Sequence, residues 1–451
     1  MRRGLGGTRG VRGADRLGAL PDEVLQHVLS FLPSREAVHT CLLARRWRHQ
    51  WKSAPALRIT GVDSFKSARE FNDFVNYLIA FRGRPPLHAC EFEACEVYED
   101  YDEGSQDDDG ERSRYTDLWI RYALSCHARL LRIRDHDPNN VDPKNEAPRN
   151  VLLETPISSP HLTTLDLDGV IFSRKYSLDF SSCPNLETVK MHRCSFSIIS
   201  WNGPIKISSQ SVRYLSITEH NFRRYDKQEA LISVPNLVYL ELGSGRGKVP
   251  SFECTPSLLA ASIKLDDKDG SFLLERLSAT INLELMIEPQ ASAAFRKELI
   301  RCTTFSKLKT LSLDDWCVEP DYSPLLYFLQ RSPSLENLHL RLSKKYKHAE
   351  ETDGSYAPIE PFLASKSLRV VKIKCLAKDE RVHKIVKVLC SCGVTAELII
   401  INKRIWSSDG SYSDSEHSNY SHSDSEQSNY SHSDSEQSNY SHSDSEQEQL
   451  D

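Results

Sequence analysis

One six-residue pattern, L-x-x-L-x-L, constrains this chain more than any other feature. It is met at Leu162-Leu165-Leu167, Leu186-Val189-Met191, Val212-Leu215-Ile217, Leu237-Leu240-Leu242, Ala260-Ile263-Leu265, Leu308-Leu311-Leu313, Leu335-Leu338-Leu340 and Leu368-Val371-Ile373. The first positions lie 24, 26, 25, 23, 48, 27 and 33 residues apart, and the interval of 48 points to a skipped unit near Ile281 to Leu285. Each closing L-x-L reads as a short strand whose alternate residues face opposite ways. Pro-Asn-Leu at 184–186 and 235–237 and Pro-Ser-Leu at 256–258 and 333–335 mark the loops that enter these strands. A unit of this length cannot bury its apolar face alone, so successive units must stack.

Period and template together suit leucine-rich repeats, an α/β architecture in which strand leucines point inward and the residues between them project from a concave sheet. Those projecting residues are Asp166, Lys190, Ser216, Glu241, Lys264, Ser312, His339 and Lys372, the candidate target-binding set. Their mixed charges argue against a polyanionic ligand and for a protein with its own mixed surface. Residues 61–366 are assigned to the irregular solenoid. Its opening section holds a helical pattern over 71–81, a strand over 87–92, a helix over 117–125 and a strand over 128–134, interrupted by a solvated acidic loop at 96–111. After the repeats, 368–374 reads as a strand, 380–390 as a helix with Val382, Ile385, Val386 and Leu389 on one face, and 397–402 as a last strand.

Residues 15–60 carry a separate helical module. Pro21 suits a first helical position, Asp22 and Glu23 complement the positive helix end, and Val24, Leu25, Val28, Leu29 and Leu32 form an apolar face. Pro33 stops that helix and Ser34 can cap a second, with Ala37, Val38 and Cys41 inward. Trp47 and Trp51 stand at i, i+4 on a third. Three helices in about 45 residues make a marginal core, so part of the apolar face completes itself on a partner.

The segments Leu20-Pro21-Asp22-Glu23-Val24-Leu25, Leu29-Ser30-Phe31-Leu32-Pro33, Ala37 to Cys41 and Arg45-Arg46-Trp47-Arg48-x-x-Trp51 resemble the F-box motif in its plant form. The resemblance implies a three-helix unit that binds a Skp-type adaptor through Leu20, Pro21, Val24, Leu25, Val28, Leu32, Val38 and Trp47, and through it the cullin and RING subunits of a ubiquitin ligase. Two positions depart from the family pattern. Ala44 stands where Ser is common, which removes a helix cap worth ~1 kcal/mol, and Gln50 replaces a usual Leu. The strand, helix, strand order of 367–403 resembles the region called FBD in plant F-box proteins with leucine-rich repeats, and it would cap the open end of the repeats.

Charge divides the chain. From Ser407 onward there are eleven acids and no Lys or Arg, so of the net charge of -6 the preceding residues carry +5. The tail is a decapeptide repeat, SYSDSEHSNY, SHSDSEQSNY, SHSDSEQSNY and SHSDSEQEQL over 411–450. It has almost no aliphatic residue with which to repay ordering entropy, and residues 407–451 are expected to be disordered. Ser413, Ser423, Ser433 and Ser443 each precede a Glu by three residues, a spacing that resembles the sites of casein-kinase-like enzymes, and are candidate phosphorylation sites. The Arg- and Gly-rich residues 1–14 are likewise expected to be disordered. They lack the apolar core of a secretory signal, so a nuclear or cytoplasmic protein is expected. No stretch of about 18 uncharged apolar residues occurs, and no nucleic-acid footprint of clustered Lys and Arg, so neither membrane nor nucleic acid is an expected partner.

Catalytic signatures are missing from the sequence: no G-x-S-x-G, Walker loop, H-E-x-x-H or G-x-G-x-x-G occurs. Gly243 to Gly247 is glycine-rich but precedes Lys248-Val249-Pro250 rather than a helix start. Cys390 and Cys392 with His383 lack a second ligand pair, and the tail His422, His432 and His442 belong to a polar tract, so no metal and no cofactor is expected. The sequence therefore reads as a non-catalytic substrate receptor of an SCF-type ubiquitin ligase that recruits a target protein through its repeats. The alternative is a repeat scaffold that does not engage the ligase.

Overall fold

The computed structural model of the chain describes residues 17–94, 114–135, 151–153, 156–172, 178–196, 206–221, 230–246, 250–253, 255–266, 273–301, 304–318, 322–343, 367–376, 379–406 and 412–414. The expectations for 1–14, the acidic loop at 96–111 and the tail beyond Asp414 lie outside these residues.

The N-terminal module contains α1 (Asp22–Leu29) and α2 (Ser34–His39), followed by 3-10 turns at Thr40–Leu42 and Arg45–Ser53. Each α-helix is preceded by a proline in extended conformation, Pro21 and Pro33, so both prolines stand just outside the helix they introduce. Ser34 is the first residue of α2, and its buried hydroxyl finds no partner among the described residues, so it does not cap. The expected third helix is a 3-10 segment. Ala44 in front of it offers no side-chain cap. Leu25, Leu29, Ala37, Trp47 and Ala54 close a small core, with Leu20, Leu32 and Trp51 packed against it. Gln50 is buried in place of a leucine and accepts a hydrogen bond from Gln26 Nε2 at 3.0 Å, which ties the 3-10 segment to α1.

The rest of the chain builds one long sheet, ordered as in the sequence. Its strands are β1 (Ala56–Ile59), β2 (Ala89–Ala94), β3 (Leu130–Asp135), β4 (Thr164–Asp168), β5 (Thr188–His192), β6 (Tyr214–Thr218), β7 (Tyr239–Leu242), β8 (Ala260–Leu265), β9 (Asn282–Ile287), β10 (Thr310–Asp314), β11 (Asn337–Arg341), β12 (Val370–Leu376), β13 (Ile399–Trp406) and β14 (Tyr412–Asp414). All neighbours pair parallel except β13 and β14, which are antiparallel. Burial alternates along β1 to β12, except in β10, where Ser312 is buried between Leu311 and Leu313. Leu57, Cys90, Leu131, Leu165, Val189, Leu215, Leu240, Ala261, Leu283, Leu311, Leu338, Val371 and Ile399 form one continuous buried row across the sheet. Each fully buried leucine in such a row contributes about 1.5–3 kcal/mol.

This register corrects one unit of the pattern. Leu240 pairs with Ala261 and Leu242 with Ile263, so the eighth strand is set by Leu258-Ala261-Ile263 and not by Ala260-Ile263-Leu265. The small Ala261 and the continuing alternation to Leu265 hide the shift. The skipped unit is real: Leu283 and Leu285 fill the row, with buried Thr280 in the leading position.

The Pro-Asn-Leu loops and the Pro-Ser-Leu loop at 333–335 have a physical role. Asn185 Nδ2 donates to the Pro160 carbonyl at 2.6 Å, Asn236 Nδ2 to the Gln210 carbonyl at 2.8 Å, and Ser334 Oγ to the Ser306 carbonyl at 2.9 Å. In each case the loop of one unit satisfies a carbonyl of the unit before it. Gly169, in the turn after β4, has φ +73°, and a Cβ there would meet Asp135 Cβ at 2.6 Å, so only glycine fits.

Behind the sheet, α3 (Ala68–Arg82) and α4 (Arg114–Ser125) pack near one end, and α5 (Leu273–Leu277), α6 (Pro289–Arg301), α7 (Ser323–Arg331) and α8 (Arg381–Ser391) toward the other. Between them, two smaller parallel sheets of four and five short strands take the place of helices. Arg381, the first residue of α8, bridges Asp379 and the buried Asp315, which also accepts the Ser343 N–H and hydroxyl. β14 lies within the tail expected to be disordered, at residues 412–414.

Candidate functional site

Two surfaces stand out. The first is α1, which is apolar on two sides. Leu25 and Leu29 face the small core, while Val24, Val28 and Phe31, spaced i, i+4, i+7, are exposed, as are Leu17, Leu42 and Leu43. Leu42 is 82% and Phe31 64% exposed. So many exposed apolar side chains in so short a module mark an interaction surface. Arg46 fixes the approach to α1, pairing with Asp22 at 2.7 Å and donating to the carbonyls of Gly18 and Leu20. The hydrogen bond from Arg46 holds the Asp22 carboxyl below its usual range.

The expected adaptor residues divide accordingly. Val24, Val28 and Pro21 are exposed, Leu20 and Leu32 are half-buried against the module's own core, and Val38 packs on the core of the long sheet. Leu25 and Trp47 are buried inside the module, so they support the surface without forming it. Phe31, Leu42 and Leu43 were not in the expected set. Phe31 was legible as the i+7 partner of Val24, whereas nothing periodic marks Leu42 and Leu43.

The module is joined to the sheet without a spacer. Arg58 in β1 donates from Nε to the Ser30 carbonyl at 3.0 Å and pairs with Glu91 at 2.5 Å. Arg35 Nη1 donates to the Ser64 carbonyl at 2.6 Å, and its guanidinium stacks 4.8 Å from the Phe65 ring. The buried Arg82 donates to the Ala54 carbonyl and to the Tyr122 hydroxyl.

The second surface is the exposed face of the sheet. In register order its middle row is Arg58, Glu91, Arg132, Asp166, Lys190, Ser216, Glu241, Ser262, Glu284, Ser312, His339, Lys372 and Ile400. Seven of the eight expected target-binding residues fall in this row. Lys264 sits on the same face in the next row, opposite Met286, because of the shifted unit. Ser312 is only 7% exposed, so it offers little contact surface. Arg58, Glu91, Arg132, Ser262 and Glu284 were missed, since Ala54, Ala128 and Thr280 stand in the leading position of three of their strands and Cys90 and Ala261 in the second position of the other two.

Much of the row is paired with itself. Arg132 reaches Glu91 at 3.1 Å and Asp166 at 2.7 Å, Ser216 donates to Glu241 at 2.7 Å, and Ser262 donates to Glu284 at 3.2 Å. Lys190 and Lys372 are exposed. Of the candidate phosphorylation sites, Ser413 lies in β14, and Ser423, Ser433 and Ser443 lie outside the described residues.

Burial raises the thiols of Cys90, Cys194 and Cys317, that of Cys194 to about 12, so they hold their protons at neutral pH. Among the described residues no group of three His, Cys, Asp or Glu is placed to hold a metal ion. No helix among them is long and apolar enough to cross a membrane.

Comparison with known proteins agrees with the first surface. Residues 17–58 match the F-box domain family, so the two-sided α1 belongs to an F-box. Over most of its length the chain is homologous to proteins of Arabidopsis thaliana that bear F-box, FBD and leucine-rich-repeat names. It is 25% identical over 382 residues to an FBD-associated F-box protein, covering 79% of this chain and 82% of the relative. It is 26% identical over 351 residues to an F-box/FBD/LRR-repeat protein, covering 72% and 77%. An F-box/LRR-repeat protein is 28% identical over 246 residues, 51% of this chain and 53% of the relative.

Proposed function

We propose that this chain is the substrate-recognition subunit of an SCF-type ubiquitin ligase. Its F-box, residues 15–60, holds a Skp-type adaptor and through it the cullin and RING subunits. The carrying observation is α1, whose Val24 and Val28, with Phe31 two residues past its end, stand exposed on a matched F-box while Leu25 and Leu29 hold the fold. In this reading residues 61–366 are an irregular leucine-rich-repeat solenoid, 367–403 an FBD-like cap, and the exposed sheet face its concave target surface. The in-register strand order and the relatives' names support it.

The chain needs no nucleophile for this role. It raises the effective concentration of target lysines near a ubiquitin-charged enzyme, and the short, ion-paired junction at Arg58 keeps adaptor and target surface in a fixed relation. The test is reconstitution with adaptor, cullin and RING subunits, using proteins that copurify with the chain while the proteasome is blocked as targets. Ubiquitin transfer to such a target should depend on the chain. Reversing the charges of Glu241, Lys264 and Lys372 together should reduce transfer while adaptor binding persists. A chain that captures its targets but never the adaptor would instead be a repeat scaffold outside the ligase.

A further inference from the structure

Charge that is mixed along the sequence is sorted in space. Near β1 to β4 the acids and bases of the exposed face satisfy one another. At the other end His339 and Arg341 of β11 stand directly opposite Lys372 and Lys374 of β12. All four lie on the exposed face, because the alternating Leu338, Leu340, Val371 and Ile373 are buried. The acids facing this group are Glu284, which pairs with Arg341 at 2.5 Å, and Asp314, opposite Arg341 in register. Among the described residues no carboxylate pairs with Lys372 or Lys374. Arg341 and Lys374 are like charges directly opposite on neighbouring strands, a destabilising arrangement whose cost an anion would offset. The His339 imidazole registers the same field: burial first, then Lys372, Arg341 and Lys374, hold it below its usual range.

The sequence supplies a matching anion. β14 returns antiparallel along β13, which pairs with β12, so the chain beyond Asp414 sets out from this end of the sheet. From Glu416 it carries nine acids and no Lys or Arg. In each Asp-Ser-Glu unit the carboxylates are two residues apart, a spacing that puts both on one side of an extended segment, about 6.6–6.8 Å apart along it. His339 with Arg341 and Lys372 with Lys374 have the same two-residue spacing on their strands. Repetition of the unit at 424–426, 434–436 and 444–446 gives several equivalent ligands on one tether, at an effective concentration of about millimolar for a short linker.

We propose that the acidic repeats of residues 415–451 bind back onto the basic end of the exposed sheet face formed by His339, Arg341, Lys372 and Lys374. The chain then carries its own occupant for that surface, and an acidic segment of a partner gains it only by displacing the repeats. Phosphate on Ser423, Ser433 or Ser443 adds roughly 1.5–2 negative charges each and tightens the contact. This inference does not depend on adaptor binding.

Zero-length carbodiimide crosslinking of the full chain tests it, because an amide forms only where a carboxylate touches an amine. In an equal mixture of isotopically heavy and light chains at low salt, tail carboxylates should join Lys372 and Lys374 within one chain. The yield should exceed that at the exposed Lys190, Lys206 and Lys307 by roughly fivefold or more, and should collapse near 1 M salt, where screening acts within about 3 Å. Lys374→Gln, which strands no buried partner, should lower the yield at Lys372. Crosslinks spread evenly over the exposed lysines, a yield at Lys372 indifferent to Lys374→Gln, or products only between heavy and light chains would each overturn the proposal.

Discussion

Arg58 and Glu91 form a 2.5 Å ion pair across the first two strands of the long sheet, and the same guanidinium holds the Ser30 carbonyl at the end of α1. The pair thereby fastens the F-box to the sheet edge. Arg58→Ala should cost about 1–2 kcal/mol, since Glu91 keeps Arg132 as a partner and is not stranded. Denaturant unfolding measures the loss. Hydrogen exchange should speed up in α1 more than in β4 or β5.

Arg381 and Asp315 should behave differently, because Asp315 is 1% exposed. Arg381→Ala leaves that carboxylate with the Ser343 donors alone and should destabilise the chain by about 3 kcal/mol, in the range for a broken buried pair. A double variant that also carries Asp315→Ala should lose less than the two single losses summed. Burial opposes the charge of Asp379, yet the hydrogen bonds and charge of Arg381 prevail and hold its carboxyl below the usual range. Its folded value is depressed, so its stabilisation is present above the unfolded value and lost as the pH falls through the folded one. Arg381→Ala should flatten that acid limb.

Asp314 has the opposite sign. Burial pushes its carboxyl up to about 7, against the hydrogen bond from the Ile287 N–H and with the Asp315 charge adding. Between the unfolded value near 4 and about 7 the folded chain binds the extra proton, so stability falls as pH rises through this window. Asp314→Asn, which can still accept from Ile287, should be more stable than the parent at pH 8, by up to a few kcal/mol. It should match the parent near pH 4. Thermal unfolding across pH 4 to 8 shows whether the two curves converge.

What could be read from the sequence follows from how local each signal is. Leu165 and Leu167 and their counterparts announce their strands because period-2 alternation needs no knowledge of neighbours. Ala261 does not, since a small residue leaves two registers open that only the pairing Leu240 to Ala261 decides. Thr280 hid a unit by standing where a leucine was sought. In α1, Val24 and Leu25 are equally apolar. Trp47 and Ala37 pack on one side only, and that tertiary fact separates the fold's own core from its free face. The basic end of the sheet face is the same case: Arg341 and Lys374 are 33 residues apart in sequence and neighbours only across β11 and β12.

The free face of α1 carries the central claim, and adaptor affinity measures it. Titration calorimetry of a Skp-type adaptor against the full chain should show tight binding, and Val24→Asp with Val28→Asp should weaken it by at least about tenfold, a loss of ~1.4 kcal/mol or more. The melting temperature should stay within about a degree or two, because both side chains are exposed. Undiminished affinity in that double variant, or no binding by the parent chain, would contradict the account.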